Sequence, residues 1–104
     1  MYSGGLRINH YGLIVINPAT KIGTYCDIHQ GVNIGVSTDG EAPTIGDNVW
    51  IGPGVKIFGG IVIGDEIMIG ANAVVNKDFR ENSCVIAGIP AIKVSDKGNV
   101  YKRV

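Results

Sequence analysis

The sequence holds two histidines, His10 and His29, and two cysteines, Cys26 and Cys84. Imidazole is the side chain whose unperturbed pKa lies nearest neutrality, so it is the ordinary choice for taking a proton from a hydroxyl. A thiol does nucleophilic or metal chemistry only as a thiolate, and the spacing of Cys26 and Cys84 fits no metal motif. No metal is therefore expected. That leaves the imidazoles of His10 and His29, and the question becomes which elements position them.

The answer lies in the aliphatic residues. Among 104 residues there are 16 Ile and 12 Val but only 2 Leu, with 16 Gly. β-Branched side chains favour strands and disfavour helices, so a helical bundle is excluded. Gly is not every third residue and Pro numbers 4, which excludes collagen. With 45% apolar and 17% charged residues, disorder is excluded too.

Stepping by six from Ile16 lands on Ile22, Ile28 and Ile34. After a break the series resumes at Ile45 and runs through Ile51, Ile57, Ile63, Ile69 and Val75. Gly follows the key aliphatic at Gly23, Gly35, Gly46, Gly52, Gly64 and Gly70. Four residues after it stand Thr20, Cys26, Val32, Val49, Val55, Ile61, Ile67 and Ala73, all small or apolar. The slots between are mostly turn formers. A helix needs apolar residues every three to four positions and a plain strand every second one. Strict sixes fit a short strand and a sharp turn, repeated. Three units close a triangular coil, and coils stack so that each buries its aliphatic column against its neighbours. Five to six coils are the most this length allows, at about 18 residues each.

The expected organisation is one all-β parallel β-helix domain over residues 1–104. Coils span about 8–88, a loop protrudes at 35–44 and a C-terminal tail covers 89–104. The loop arises because Ile34 and Ile45 are 11 apart rather than 6. A loop ejected from a rigid scaffold is a place for function. After Val75 the period fades, with 76–82 read as a turn and 83–87 as the last strand. Counting back six from Ile16 lands on His10, which puts an imidazole in an inward Ile slot. His29 follows Ile28 and is expected to face outward, as are Trp50 and Phe58.

Formal net charge is zero, which weighs against a nucleic-acid partner. Residues 1–75 carry three basic and six acidic side chains, and residues 76–104 six and three. The basic end suits a phosphate-bearing ligand or, equally, a solvated tail. No apolar run approaches the 18 or more residues of a membrane span, and no secretory signal is visible, so a cytoplasmic setting is expected.

The repeat resembles that of the hexapeptide-repeat acyltransferases. Three stretches narrow the resemblance to the serine acetyltransferase branch and its capsule-locus relatives. They are Gly5–Ile16, Ile28–Gly35 and Gly46–Gly54, the last continued by Ile69–Val75 and Ala87–Ala91. The resemblance implies a left-handed β-helix, an exception to the right-handed crossover rule. It also implies homotrimers with acetyl-CoA lying in the groove between neighbouring β-helices. His10 matches the family's general base, which takes the acceptor hydroxyl's proton as that oxygen attacks the thioester. Asn9 stands where serine acetyltransferases have an Asp that orients the ring. The family has Tyr or His near the position of His29, which implies a place lining either the acceptor pocket or a subunit interface. By motif match Gly52, Gly54, Gly70, Ala71, Asn76 and Lys77 would contact CoA, with Lys93 as a phosphate contact.

Two departures bear on the acceptor. Asn9 hydrogen-bonds an imidazole but carries no charge to stabilise an imidazolium. The branch has an Arg-His pair before the loop Pro, where this chain has Glu41-Ala42 before Pro43, and Glu41 would repel a substrate carboxylate. The expected activity is O-acetylation of a small molecule or saccharide hydroxyl. The alternatives are serine O-acetylation and a catalytically inactive or shortened β-helix serving as an assembly module. The motif begins at Gly5, so the chain reads either as a minimal relative or as one shortened at its N-terminus. A β-helical carbonic anhydrase needs three His ligands, and an ice-binding surface needs regular Thr arrays. Neither is present in the sequence.

Overall fold

The computed structural model describes residues 4–5, 7–8 and 12–98, with residues 7–8 described by their backbone alone. Thirteen short strands account for its regular structure. They are β1 (Arg7–Ile8), β2 (Val15–Ile16), β3 (Lys21–Ile22), β4 (Asp27–Ile28), β5 (Asn33–Gly35), β6 (Thr44–Ile45), β7 (Trp50–Ile51), β8 (Lys56–Phe58), β9 (Val62–Ile63), β10 (Met68–Ile69), β11 (Val74–Val75), β12 (Val85–Ala87) and β13 (Ile92–Ser95). They form three sheets. The first face runs β1-β4-β7-β10-β12-β13, the second β2-β5-β8-β11 and the third β3-β6-β9. All pairings between successive coils are parallel, and each third strand returns to the same face one coil later, except that β12 follows β10 because the third face ends in an isolated bridge rather than a strand.

The aliphatic column is the core. Ile22, Ile28, Ile34, Ile45, Ile51, Ile57, Ile63, Ile69 and Val75 are buried, and Ile16 packs partly buried against them. The residues four places on, Thr20 through Ala73, are buried as well. Two inward positions per six residues fill the prism, and each Ile removed from water contributes about 1.5–3 kcal/mol.

The register explains the breaks in the period. Val15 pairs with Asn33 and Trp50 with Met68, steps of 18. Asn33 pairs with Lys56, a step of 23. The five-residue surplus leaves between β5 and β6 and is closed on itself: Ser37 N donates to Glu41 O at 3.0 Å and Gly40 N to Ser37 O at 2.9 Å.

Two sequence expectations need correction, while the inward slot expected for His10 lies outside the described residues; on that coil Ile8 pairs with Ile28. The segment 76–82, expected as a turn, also adds a residue to the column. Phe79 bridges Ile63 in parallel and packs partly buried on the core. A corner two residues shorter than usual carries a larger side chain into the column. Finally, the tail reverses direction: β13 runs antiparallel along β12 with an irregularity at Val85/Ile86, closing the last coil.

Two of the three corners are tight. Tyr25, Asn48, Glu66 and Ser83 take φ of 57–58° between the third and first faces, and Gly31, Gly54 and Asn72 take 77°, 76° and 62° between the first and second. At the former corner a side-chain ladder runs up the molecule. Thr24 N donates to Asp47 Oδ1 at 2.8 Å, Asp47 N to Asp65 Oδ1 at 2.7 Å and Asp65 N to Asn82 Oδ1 at 2.8 Å. Gly46 is required beneath it. A Cβ there would overlap Asp65 Oδ1 and sit 2.8 Å from the Gly64 carbonyl.

Candidate functional site

The corner between the first and second faces holds five of the expected residues, His29, Gly52, Gly54, Gly70 and Ala71. His29, Gly52, Gly70 and Ala87 each follow the paired column residues Ile28, Ile51, Ile69 and Ile86, so they stack one above another. Small side chains here are a packing requirement. A Cβ on Gly52 would lie 2.8 Å from Ile69 O and 3.0 Å from Trp50 Cζ3, and one on Gly70 would lie 3.1 Å from Ala87 Cβ. At Gly54 it would overlap Asn72 Oδ1. Gly52, Gly54, Gly70 and Ala71 thus form a strip of small residues along this corner, where the neighbouring coil fills the space that a Cβ on each glycine would need.

His29 heads that strip. It is half-buried rather than plainly outward. Its Nδ1 lies 2.8 Å from Ile51 O, and its ring centroid is 4.7 Å from that of Trp50 at 51°. Trp50 is likewise half-buried and pairs in register with Asp27 and Met68. Its contact with His29 was not foreseen, since the two residues are 21 apart in sequence and meet only when coils stack. Phe58 is exposed.

The remaining expected residues lie elsewhere. Asn76 and Lys77 follow β11, one short strand beyond the strip, and Lys77 Nζ is 5.5 Å from the centre of the Phe79 ring. Glu41 is exposed in the 36–43 loop, its Cβ and Cγ set over Gly60. Asp39 in the same loop accepts from the Ser37 hydroxyl and from Glu41 N. These bonds, that from Ser37 foremost, hold its carboxyl below the ordinary value. Lys93 lies in β13, with Nζ 2.6 Å from Asp96 and 2.8 Å from Glu81. The hydrogen bond to Asp96, then that to Glu81, pushes its pKa up. Lys93 thus clamps the terminal hairpin, and a ligand phosphate would compete with two carboxylates for it. Arg80 is paired with Asp78 at 3.1 Å. His10 and Asn9 lie outside the described residues.

Cys26 and Cys84 are buried in the column of small residues. Cys26 Sγ donates to Gly46 O at 3.2 Å, and burial raises the Cys84 thiol. Both are packing groups. Among the described residues no three His, Cys, Asp or Glu side chains converge as a metal-holding group. No helix among the described residues is long and apolar enough to cross a membrane.

Comparison with known proteins agrees with this architecture. Residues 42–77 match the family model of the bacterial transferase hexapeptide (six repeats). The chain is 38% identical over 89 residues to a serine acetyltransferase of Synechococcus elongatus, covering 83% of this chain and 36% of that protein. It is 39% identical over 85 residues to one from Helicobacter pylori, covering 79% and 50%. The chain therefore spans half or less of the length of these relatives.

Solved serine acetyltransferases superpose closely. That of Brucella abortus gives a TM-score of 0.87 at 31% identity over 95% of this chain and 41% of the other. The same enzyme in complex with coenzyme A gives 0.84 at 31% over 91% and 39%. The Neisseria gonorrhoeae enzyme in complex with serine gives 0.81 at 36% over 88% and 38%. Superposition this close requires the same hand of coil, so the winding is left-handed. The chain is a left-handed hexapeptide-repeat β-helix of the acyltransferase family, resembling its serine acetyltransferase branch.

Proposed function

We propose that this chain carries the β-helical machinery of an acetyl-CoA-dependent O-acetyltransferase with serine as acceptor. The observation that carries the reading is the fit, at 31–36% identity, to serine acetyltransferases solved with coenzyme A and with serine. This moves the acceptor away from the saccharide that loop composition suggested. In the proposed reaction His10 takes the hydroxyl proton as the serine oxygen attacks the thioester carbonyl. The CoA sulfur leaves and receives that proton back from the imidazolium. Asn9 steadies the ring. The strip Gly52, Gly54, Gly70 and Ala71 receives the pantetheine arm, with Asn76 and Lys77 further along it. The working unit is a homotrimer. A cytoplasmic location accords with two buried free thiols.

A second reading rests on one observation. The 36–43 loop presents the exposed carboxylates Asp39 and Glu41, and these favour an acceptor without a carboxylate, such as a saccharide. The test is thiol release from acetyl-CoA with serine, simple alcohols and sugars as acceptors. Release with serine, reduced by about 10²–10⁴ in His10→Ala, is the expected result. Release with sugars alone selects the second reading. No release with any acceptor overturns the enzymatic proposal and leaves an assembly module.

A further inference from the structure

The 36–43 loop contains a peptide step that is chemically labile by residue type. Asp39 is followed by Gly40, and both are exposed. Gly40 has no side chain to shield its nitrogen, and a Cβ placed there would meet nothing within 4 Å. An aspartic carboxyl in its neutral form is open to attack by the next backbone nitrogen. The bond from Gly40 N to Asp39 Cγ forms, the Cγ–OH bond breaks, and the amide proton leaves with that hydroxyl as water. The product is a cyclic succinimide. Water adds back at either ring carbonyl, which restores aspartate or leaves isoaspartate, whose main chain runs through Cβ and Cγ.

The folded loop opposes each part of that reaction. Gly40 N donates to Ser37 O at 2.9 Å, and it must break this bond to turn onto Asp39 Cγ. Asp39 Oδ1 accepts from the Ser37 hydroxyl and from Glu41 N. Both bonds favour the ionised carboxylate, which has no hydroxyl to release. Ser37 N donates to Glu41 O at 3.0 Å and closes the turn around the pair.

We propose that Asp39-Gly40 is an isoaspartate-forming site that the folded loop keeps closed, with Ser37 as the residue that holds it. This stands apart from the acetyl-transfer reading and needs no turnover to test. Isomerisation adds one atom to the main chain before Gly40 and would lift Glu41 from its seat over Gly60. Ring closure is slow beside loop opening, so its rate follows the population of open loop rather than the exposure of Asp39.

The test is isoaspartate at Asp39, measured by chromatography and tandem mass spectrometry of the peptide cut after Lys21 and Lys56. Samples are the unmodified chain folded and in urea, and folded Ser37→Ala and Ser37→Thr, incubated for days at neutral pH. The expected order is fastest in urea and slowest in the folded unmodified chain. Ser37→Ala should exceed the latter by about three- to tenfold, the weight of one hydrogen bond. Ser37→Thr keeps the hydroxyl and should stay slow. Accumulation as fast in the folded chain as in urea overturns the proposal, as does none in urea. So does Ser37→Ala no faster than the unmodified chain, or Ser37→Thr as fast as Ser37→Ala.

Discussion

Gly46→Ala and Gly35→Ala make a paired test of why glycine follows the column isoleucine. The two positions are equivalent by repeat, but their surroundings differ. A methyl at Gly46 would overlap Asp65 Oδ1 and lie 2.8 Å from the Gly64 carbonyl carbon and oxygen. Asp65 Oδ1 accepts from Asp47 N at 2.7 Å, so the clash displaces a charge-assisted bond, about 1.5–3 kcal/mol. Forcing the backbone apart costs a further 1–3 kcal/mol or so. Reduced freedom of the unfolded chain returns about 0.4–1 kcal/mol. The net loss is about 2–5 kcal/mol, which lowers the thermal midpoint by roughly 10 °C or more in a chain of this size. At Gly35 the nearest atom to an added Cβ is Asn33 Oδ1 at 3.8 Å, an ordinary contact. Gly35→Ala is therefore neutral or stabilising, by up to about 1 kcal/mol. Urea unfolding followed by far-UV circular dichroism, at one fixed protein concentration, measures both. If Gly46→Ala is as stable as Gly35→Ala, the ladder is not what selects glycine at that corner.

Two further predictions concern the loop and the terminal hairpin. Asp39 has a carboxyl held below its ordinary 3.8, first by Ser37 and then by Glu41 N. Its support of the loop is present above 3.8 and is lost as pH falls through the lowered value; the Glu41 amide resonance should therefore hold steady above 3.8 and move only below it. A midpoint at or above 3.8 refutes the bond pattern. Lys93 is raised above 10.5 by Asp96 and Glu81, so its clamp is fully present below 10.5 and is lost only as pH rises through the raised value. Lys93→Gln should speed amide exchange in β13 and leave β7 and β8 protected, and unchanged β13 exchange counts against the clamp.

The column shows how far a sequence can be read. Nine of the ten Ile and Val slots taken by sixes are buried, and Ile16 at the first coil is partly so. That was legible because each inward slot is set by local strand-and-turn geometry. The slot that counting sixes gave to His10 lies outside the described residues. Phe79 escaped the pattern. A shortened corner delivers it to Ile63, and an aromatic does not match an aliphatic template. The hairpin of β12 and β13 was invisible to the six-residue period because β13 lies along the outside of the coil, with Ile92 and Val94 exposed.

By itself the sequence determined the β-helix and its small-residue corners. Those depend on contacts within six residues and on a pattern repeated often enough to be unmistakable. Only the tertiary structure decided which residues meet across coils. His29 with Trp50 and Ile51, Asp47 with Asp65, and Lys93 with Glu81 are separated by 12 to 22 residues. The physical reason is that stacking, not chain proximity, creates these contacts. An inserted loop or a shortened corner changes every pairing that spans it while leaving the inward isoleucines in place.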